Sequence, residues 1–180
     1  MIREWIKLIM NGPCLVPTPN SHGGKRFLLI IDDTECGAAL PLVKILLKSK
    51  QRSLAECSVT DFPDDTQDPL HQNAILTMAK GMQQGKTVLL THLVPVSPAF
   101  FSLLNLETEP KKVHERDAHY ANIAIGSILR PYPVNPNFSV IVHMSRSEVE
   151  TAPTALLNRF QKMLFTFDDL FLYFKGIVEQ

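Results

Sequence analysis

Gly85-Lys86-Thr87 has the residue types of a phosphate site, the ending of a G-x-x-x-x-G-K-[ST] loop in which backbone amides and the Lys hold phosphates and the hydroxyl holds Mg²⁺. Its context does not fit. The first glycine of such a loop falls at position 80, which is Lys80, and the loop must lead from a strand into a helix N-terminus. Here a helical pattern ends at Gly85 and an apolar run begins at Val88, so the glycine reads as a helix C-cap and the lysine as solvated. The turn where a phosphate loop belongs is Asp32-Asp33-Thr34-Glu35-Cys36-Gly37. With three carboxylates, no Lys and one Gly, it repels a triphosphate. At the end of the second apolar run stand His92 and Leu93, where a hydrolase needs acidic residues to hold Mg²⁺ and orient water.

Other reactive side chains are sparse. Cys14, Cys36 and Cys57 are odd in number and widely spaced with no C-x-x-C, which fits structural thiols in a reducing compartment and no zinc site on paired thiolates. His114 and His119 have no third ligand in view and read as loop residues. Gly126-Ser127 lacks the G-x-S-x-G frame. Asp32-Asp33 also resembles the Mg²⁺-binding pair of a response-regulator receiver, but that chemistry needs an acceptor Asp at the end of the third strand, and Thr91 and His92 stand there. No metal site is expected.

The elements that must position these residues follow from periodicity. Phe27-Leu28-Leu29-Ile30-Ile31 is a continuous apolar run of buried parallel-strand type, and Leu42, Val43, Leu46 and Leu47 then repeat at helical spacing within 38–47. Asp68 and Pro69 fit a helix start, Ile75, Met78, Ala79 and Met82 its buried face, and Gly85 its end. Strands are expected over 88–90 and 139–142, a helix within 98–104, a hydrophilic stretch over 107–117, and a hairpin arm over 121–129. Asp168-Asp169 caps a helix over 170–177. Strands alternating with helices give an α/β sheet of parallel strands. Residues 1–24 read as a short amphipathic helix and a Pro/Gly-rich connector, 25–167 as the core, and 168–180 as a C-terminal helix.

Charge narrows the partners. Lys and Arg number 18 and so do Asp and Glu, so the net charge is zero and no global field draws nucleic acid or an anionic membrane. No apolar run approaches the ~20 residues that span a bilayer, and a soluble protein is expected.

Two segments carry a resemblance. Val134-Asn135-Pro136-Asn137-Phe138-Ser139-Val140-Ile141-Val142, followed by Ala152-Pro153-Thr154-Ala155-Leu156-Leu157-Asn158-Arg159-Phe160, is similar to the sensor-1 strand and arginine-finger segment of dynein- and midasin-like AAA+ modules. Met78-Ala79-Lys80-Gly81-Met82-Gln83-Gln84-Gly85-Lys86-Thr87-Val88-Leu89-Leu90 resembles the helix and degenerate Walker B strand of one unit of the mysterin-like giant RING-finger ubiquitin ligases. The resemblance covers residues 25–170 and is strongest over 75–92 and 134–162.

That resemblance implies a P-loop NTPase-like (AAA+) parallel sheet flanked by helices, without the small lid domain. It implies a cytoplasmic, non-hydrolysing unit with a structural or allosteric role in a dynein-like ring. Adjacent AAA+ units of the same giant chain and the ubiquitin machinery of the parent would be its partners, with ATP and Mg²⁺ held in neighbouring units and none here. Carried over residue by residue, Arg159 is the candidate trans arginine finger, whose planar fork suits developing phosphate charge. His143 lies at the sensor-1 position, where a satisfied structural histidine is the plainer reading. His92 and Leu93 lie at the degenerate Walker B position. A stand-alone α/β binding module is the alternative.

Overall fold

The computed structural model of the chain describes Ile9 and residues 26–49, 53–59, 68–113 and 116–178. Five strands form one sheet: β1 (Leu28–Asp32), β2 (Leu54–Ser58), β3 (Thr87–Thr91), β7 (Ser139–Ser145) and β8 (Gln161–Phe165), in the order β2-β3-β7-β1-β8. Every pairing in it is parallel. The apolar runs of β1, β3 and β7 fill its three central positions, as their burial on both faces demands.

Side chains alternate between two cores with the strand period of two. Leu29, Val88, Leu90, Val140 and Val142 pack on one face with α2 (Asp68–Gln84), through Ala74, Ile75, Met78, Ala79 and Met82. Leu28, Ile30, Leu89 and Ile141 pack on the other with α1 (Ala39–Ser49), through Ala39, Leu42, Val43, Leu46 and Leu47. Ile9 and Phe165 join that second core, and Leu170 and Tyr173 of α6 (Phe167–Val178) pack against it.

Between β3 and β7 the chain makes a 3₁₀ helix (Val94–Phe100) and a short α3 (Phe101–Leu104). It then makes an antiparallel sheet of β4 (Glu109–Val113), β5 (Arg116–Ile125) and β6 (Ile128–Val134). Ala121, Ile123 and Val134 bury this sheet into the first core. The expected hairpin arm is thus two strands folded about Gly126-Ser127, with Gly126 at φ +61°, where a glycine carries no Cβ penalty. After β7 come α4 (Arg146–Thr151) and α5 (Thr154–Leu157).

Several sequence readings change. The hydrophilic stretch 107–117 is not a separating loop, because β4 lies within it, paired to β5. His119 lies on β5, not in a loop, with Nδ1 3.3 Å from the Thr108 hydroxyl. Strands β2 and β8 carry no clean apolar run, since each sits at a sheet edge with exposed positions. The helical stretch within 98–104 begins as the 3₁₀ turn. The amphipathic helix expected over residues 1–10, the connector, Cys14, His114 and the capping side chain of Asp68 lie outside the described residues or side chains.

Gly85 does end α2. It takes φ +69°, and the Lys86 amide donates to the Gly81 carbonyl at 2.9 Å, the six-to-one bond of a Schellman cap. Thr166 and Asp169 cap α6 reciprocally: Asp169 Oδ2 accepts from the Thr166 amide at 3.0 Å, and the Thr166 hydroxyl accepts from the Asp169 amide at 3.4 Å.

Candidate functional site

In an open parallel sheet, ligands collect beyond the carboxyl ends of the strands where the strand order reverses. Here β1 connects leftward through α1 to β2, while β7 crosses past β1 to β8, so the reversal falls between β1 and β7. Asp32 ends β1, and His143 lies near the end of β7, two residues before Ser145, the register partner of Asp32.

The turn from β1 into α1 is short and tied by hydrogen bonds from Asp32 and Thr34. Asp32 Oδ1 accepts from the Thr34 amide at 2.9 Å and from the Thr34 hydroxyl at 2.5 Å. Its Oδ2 accepts from the Ala39 amide at 2.9 Å and from His143 Nε2 at 3.0 Å. The Thr34 hydroxyl accepts from the Ala38 amide at 3.1 Å, and the Gly37 carbonyl accepts from the Leu40 amide at 3.1 Å. A helix N-terminus offers an anion its first unpaired amides. The amides of Ala38, Ala39 and Leu40 are all engaged by acceptors of the chain itself, and the one facing the sheet holds a carboxylate. Glu35 and Gly37 take φ of +56° and +71° to close the turn.

Asp32 is 2% exposed. Burial alone would push its carboxyl up. The bonds from the Thr34 hydroxyl, His143, and the amides of Thr34 and Ala39 outweigh that and hold the carboxyl below its ordinary value. A fixed negative charge therefore sits at the N-terminus of α1.

Two further pairs extend this edge. His92 follows β3 at φ +54°, a left-handed backbone that His tolerates better than bulkier residues. Its Nδ1 lies 2.6 Å from Glu148 Oε1. Glu148 is also the N3 residue of a capping box on α4, with Oε2 accepting from the Ser145 amide at 2.7 Å while the Ser145 hydroxyl accepts from the Glu148 amide at 3.3 Å. Arg146 Nη1 reaches Asp33 Oδ1 at 3.1 Å in solvent. Leu93 is fully buried in the first core and offers this edge no polar atom. Among the described residues no three His, Cys, Asp or Glu side chains are grouped to hold a metal ion.

The structure thus brings His143 and His92 to the carboxyl ends of β7 and β3 and sets each beside a carboxylate. Sequence reasoning missed Glu148, Arg146 and the inward turn of Asp32. The Ser145-x-x-Glu148 spacing was the signal for the capping box.

Arg159 lies elsewhere. It precedes β8 as Arg26 precedes β1, so both stand at the amino ends of parallel strands, the edge opposite Asp32. The Arg159 guanidinium stacks on the Phe101 ring, 4.1 Å from its centroid.

A family model described as RNF213 AAA domain matches residues 21–171. A Dictyostelium discoideum protein named as an uncharacterized transmembrane protein is 25% identical over 158 residues, covering 88% of this chain and 3% of that protein. No helix among the described residues is long and apolar enough to cross a membrane. The family match runs over most of the chain, through both the parallel sheet and the antiparallel insertion, and the chain belongs to the RNF213 AAA domain family.

Proposed function

We propose that this chain is a non-hydrolysing AAA unit whose β1–α1 turn is nucleotide-free, with a structural and allosteric role in a ring of AAA units. The parent would be an RNF213-like, ATP-dependent E3 ubiquitin-protein ligase of the cytoplasm, with ATP and Mg²⁺ held in neighbouring units. The observation that carries the reading is the Asp32 carboxylate on the N-terminus of α1, with the amides of Ala38, Ala39 and Leu40 already used. A triphosphate there would meet a buried negative charge and find these three amides taken. The Walker A and B positions are degenerate on this reading, with His92 and Leu93 at the second.

The role of Arg159 follows from its edge. Asp32 lies the length of β1 away, roughly 16 Å at about 3.3 Å per residue, so Arg159 has no access to a ligand at its own chain's loop. A finger acting in trans on the next unit suits that placement. Leu164 on β8 and Phe167, Phe171 and Phe174 on α6 are exposed, and such apolar surface favours a unit packed among neighbours over a stand-alone module.

The test is a ¹H–¹⁵N NMR titration of the chain with MgATP. The amides of Thr34, Ala38 and Ala39 should stay unshifted through millimolar nucleotide, and a saturable shift at them overturns the nucleotide-free reading. In the longer protein, Arg159→Ala should lower ATPase turnover while this unit stays folded; unchanged turnover removes the finger.

A further inference from the structure

A cleft of about 280 Å³ opens at the amino-terminal edge of the sheet, away from the Asp32 turn, and Arg26, Asn105, Leu106, Asn158 and Arg159 are among the residues that line it. Two guanidinium groups share it. Neither has a carboxylate partner among the described residues. Like charges gathered in one concavity without a counter-ion repel, unless an anion completes the set.

The surrounding bonds hold this arrangement in place. Arg26 Nη1 donates to the Asn158 carbonyl at 2.6 Å, which ties one guanidinium to the turn that carries the other. Phe101 takes one face of the Arg159 guanidinium and leaves its edge N–H groups free of the ring. Lys162 Nζ donates to Asn158 Oδ1 at 3.2 Å, which brings a third cation alongside. Asn158 keeps its side-chain NH₂ as a donor. Asn105 Nδ2 donates to Glu107 Oε1 at 3.1 Å, so that nearby carboxylate has an amide partner. Leu106 follows at φ +60°.

We propose that this cleft is a binding site for a phosphoryl group, held between Arg26 and Arg159 with Asn158 as a further donor. Two forks supply more N–H groups than the two oxygens of a carboxylate accept, whereas a phosphoryl dianion offers three oxygens and matches the paired charge. The source is a free phosphate or pyrophosphate, or the phosphates of a nucleotide. The site is complete within one chain, and an Arg159 guanidinium engaged in it is withdrawn from a neighbouring unit's nucleotide, so the cleft and the trans finger are distinct uses of the same side chain.

The experiment titrates the ¹⁵N-labelled 180-residue chain, in chloride buffer of low ionic strength, first with pyrophosphate and then with ATP. Saturable shifts at the amides of Asn105, Leu106 and Asn158 are expected, and Arg26→Ala and Arg159→Ala should each weaken binding at least tenfold. Arg26→Lys and Arg159→Lys keep the charge and lose the fork; each should bind at least threefold more weakly with the core amides unmoved, so that a misfolded alanine variant does not decide the matter. ATP binding tenfold tighter than pyrophosphate identifies a nucleotide as the source, and equal affinity identifies the phosphoryl group alone. No saturable shift at these amides, or shifts insensitive to both arginines, overturns the site. Shifts at Thr34 and Ala39 instead would overturn both this assignment and the nucleotide-free reading, whereas silence at every amide overturns only the cleft.

Discussion

Replacing Asp32 with Asn tests whether the buried carboxylate is the keystone of the β1–α1 turn. The change is isosteric, and the remaining carbonyl oxygen still accepts from the Thr34 amide and hydroxyl. The new NH₂ meets the Ala39 amide and His143 Nε2 where Oδ2 now lies 2.9 and 3.0 Å from them. A bond to a charged group is worth about 1.5–3 kcal/mol, and a buried donor left unpaired costs about 1–3 kcal/mol. His143 recovers part of this by presenting an unprotonated Nε2 to the new amide, so the net loss is about 2–3 kcal/mol. Urea unfolding at pH 7 measures it. Asp33→Asn is the control: the Asp33–Arg146 pair has side chains 35% and 60% exposed, and its loss should cost no more than about 0.5 kcal/mol. The pH dependence has a definite sign. Because the folded Asp32 carboxyl is held low, its stabilisation is complete above the ordinary carboxyl value of about 3.9 and is lost as pH falls through the lower folded value. The gap between wild type and Asp32→Asn should therefore be flat from pH 7 to pH 5 and close below about pH 4. A variant within 0.5 kcal/mol of wild type at pH 7, or no worse than Asp33→Asn, refutes the reasoning.

Gly85→Ala should cost about 1–2 kcal/mol in chemical denaturation, because the position needs φ +69° and an added Cβ would lie 2.6 Å from Asn135 Oδ1; a neutral result would deny the Schellman cap. Glu148→Ala removes the acceptor of the Ser145 amide and the partner of His92, and should lower stability by about 1–2 kcal/mol, with Glu148→Gln losing about half as much; equal losses from both would place the effect in charge rather than shape. Burial pushes the Cys57 thiol up to about 11, whereas Cys36 is exposed, so iodoacetamide at pH 8 should modify Cys36 well before Cys57 until the chain is unfolded. Mass spectrometry of the labelled peptides reads the order, and early labelling of Cys57 would show that the core around Ala74 opens readily.

Local pattern determined a good deal. The continuous apolar runs at 28–31, 88–90 and 140–142 could be satisfied only by strands covered on both faces, which required parallel order and flanking helices. Helical spacing and a terminal glycine placed α2, and the acidic pair before 170 placed the start of α6. The three carboxylates within 32–37 gave the expectation that the turn after β1 repels a triphosphate. Edge strands β2 and β8 were not legible, since a strand covered on few sides carries no apolar signature, and β4 was hidden because its sequence, Glu109-Pro110-Lys111-Lys112-Val113, is polar and is made a strand by pairing with β5. Whether Asp32 would point outward to repel or inward to cap was decided only by the tertiary structure. Its partner His143 is 111 residues away, brought beside it by the parallel pairing of β1 with β7. Likewise, nothing in the sequence joins Arg26 to Arg159, which share a cleft because β1 and β8 start side by side. Hydrophobic periodicity is a property of neighbours along the chain, whereas the charge at an anion site is set by groups that meet only after the sheet has chosen its strand order.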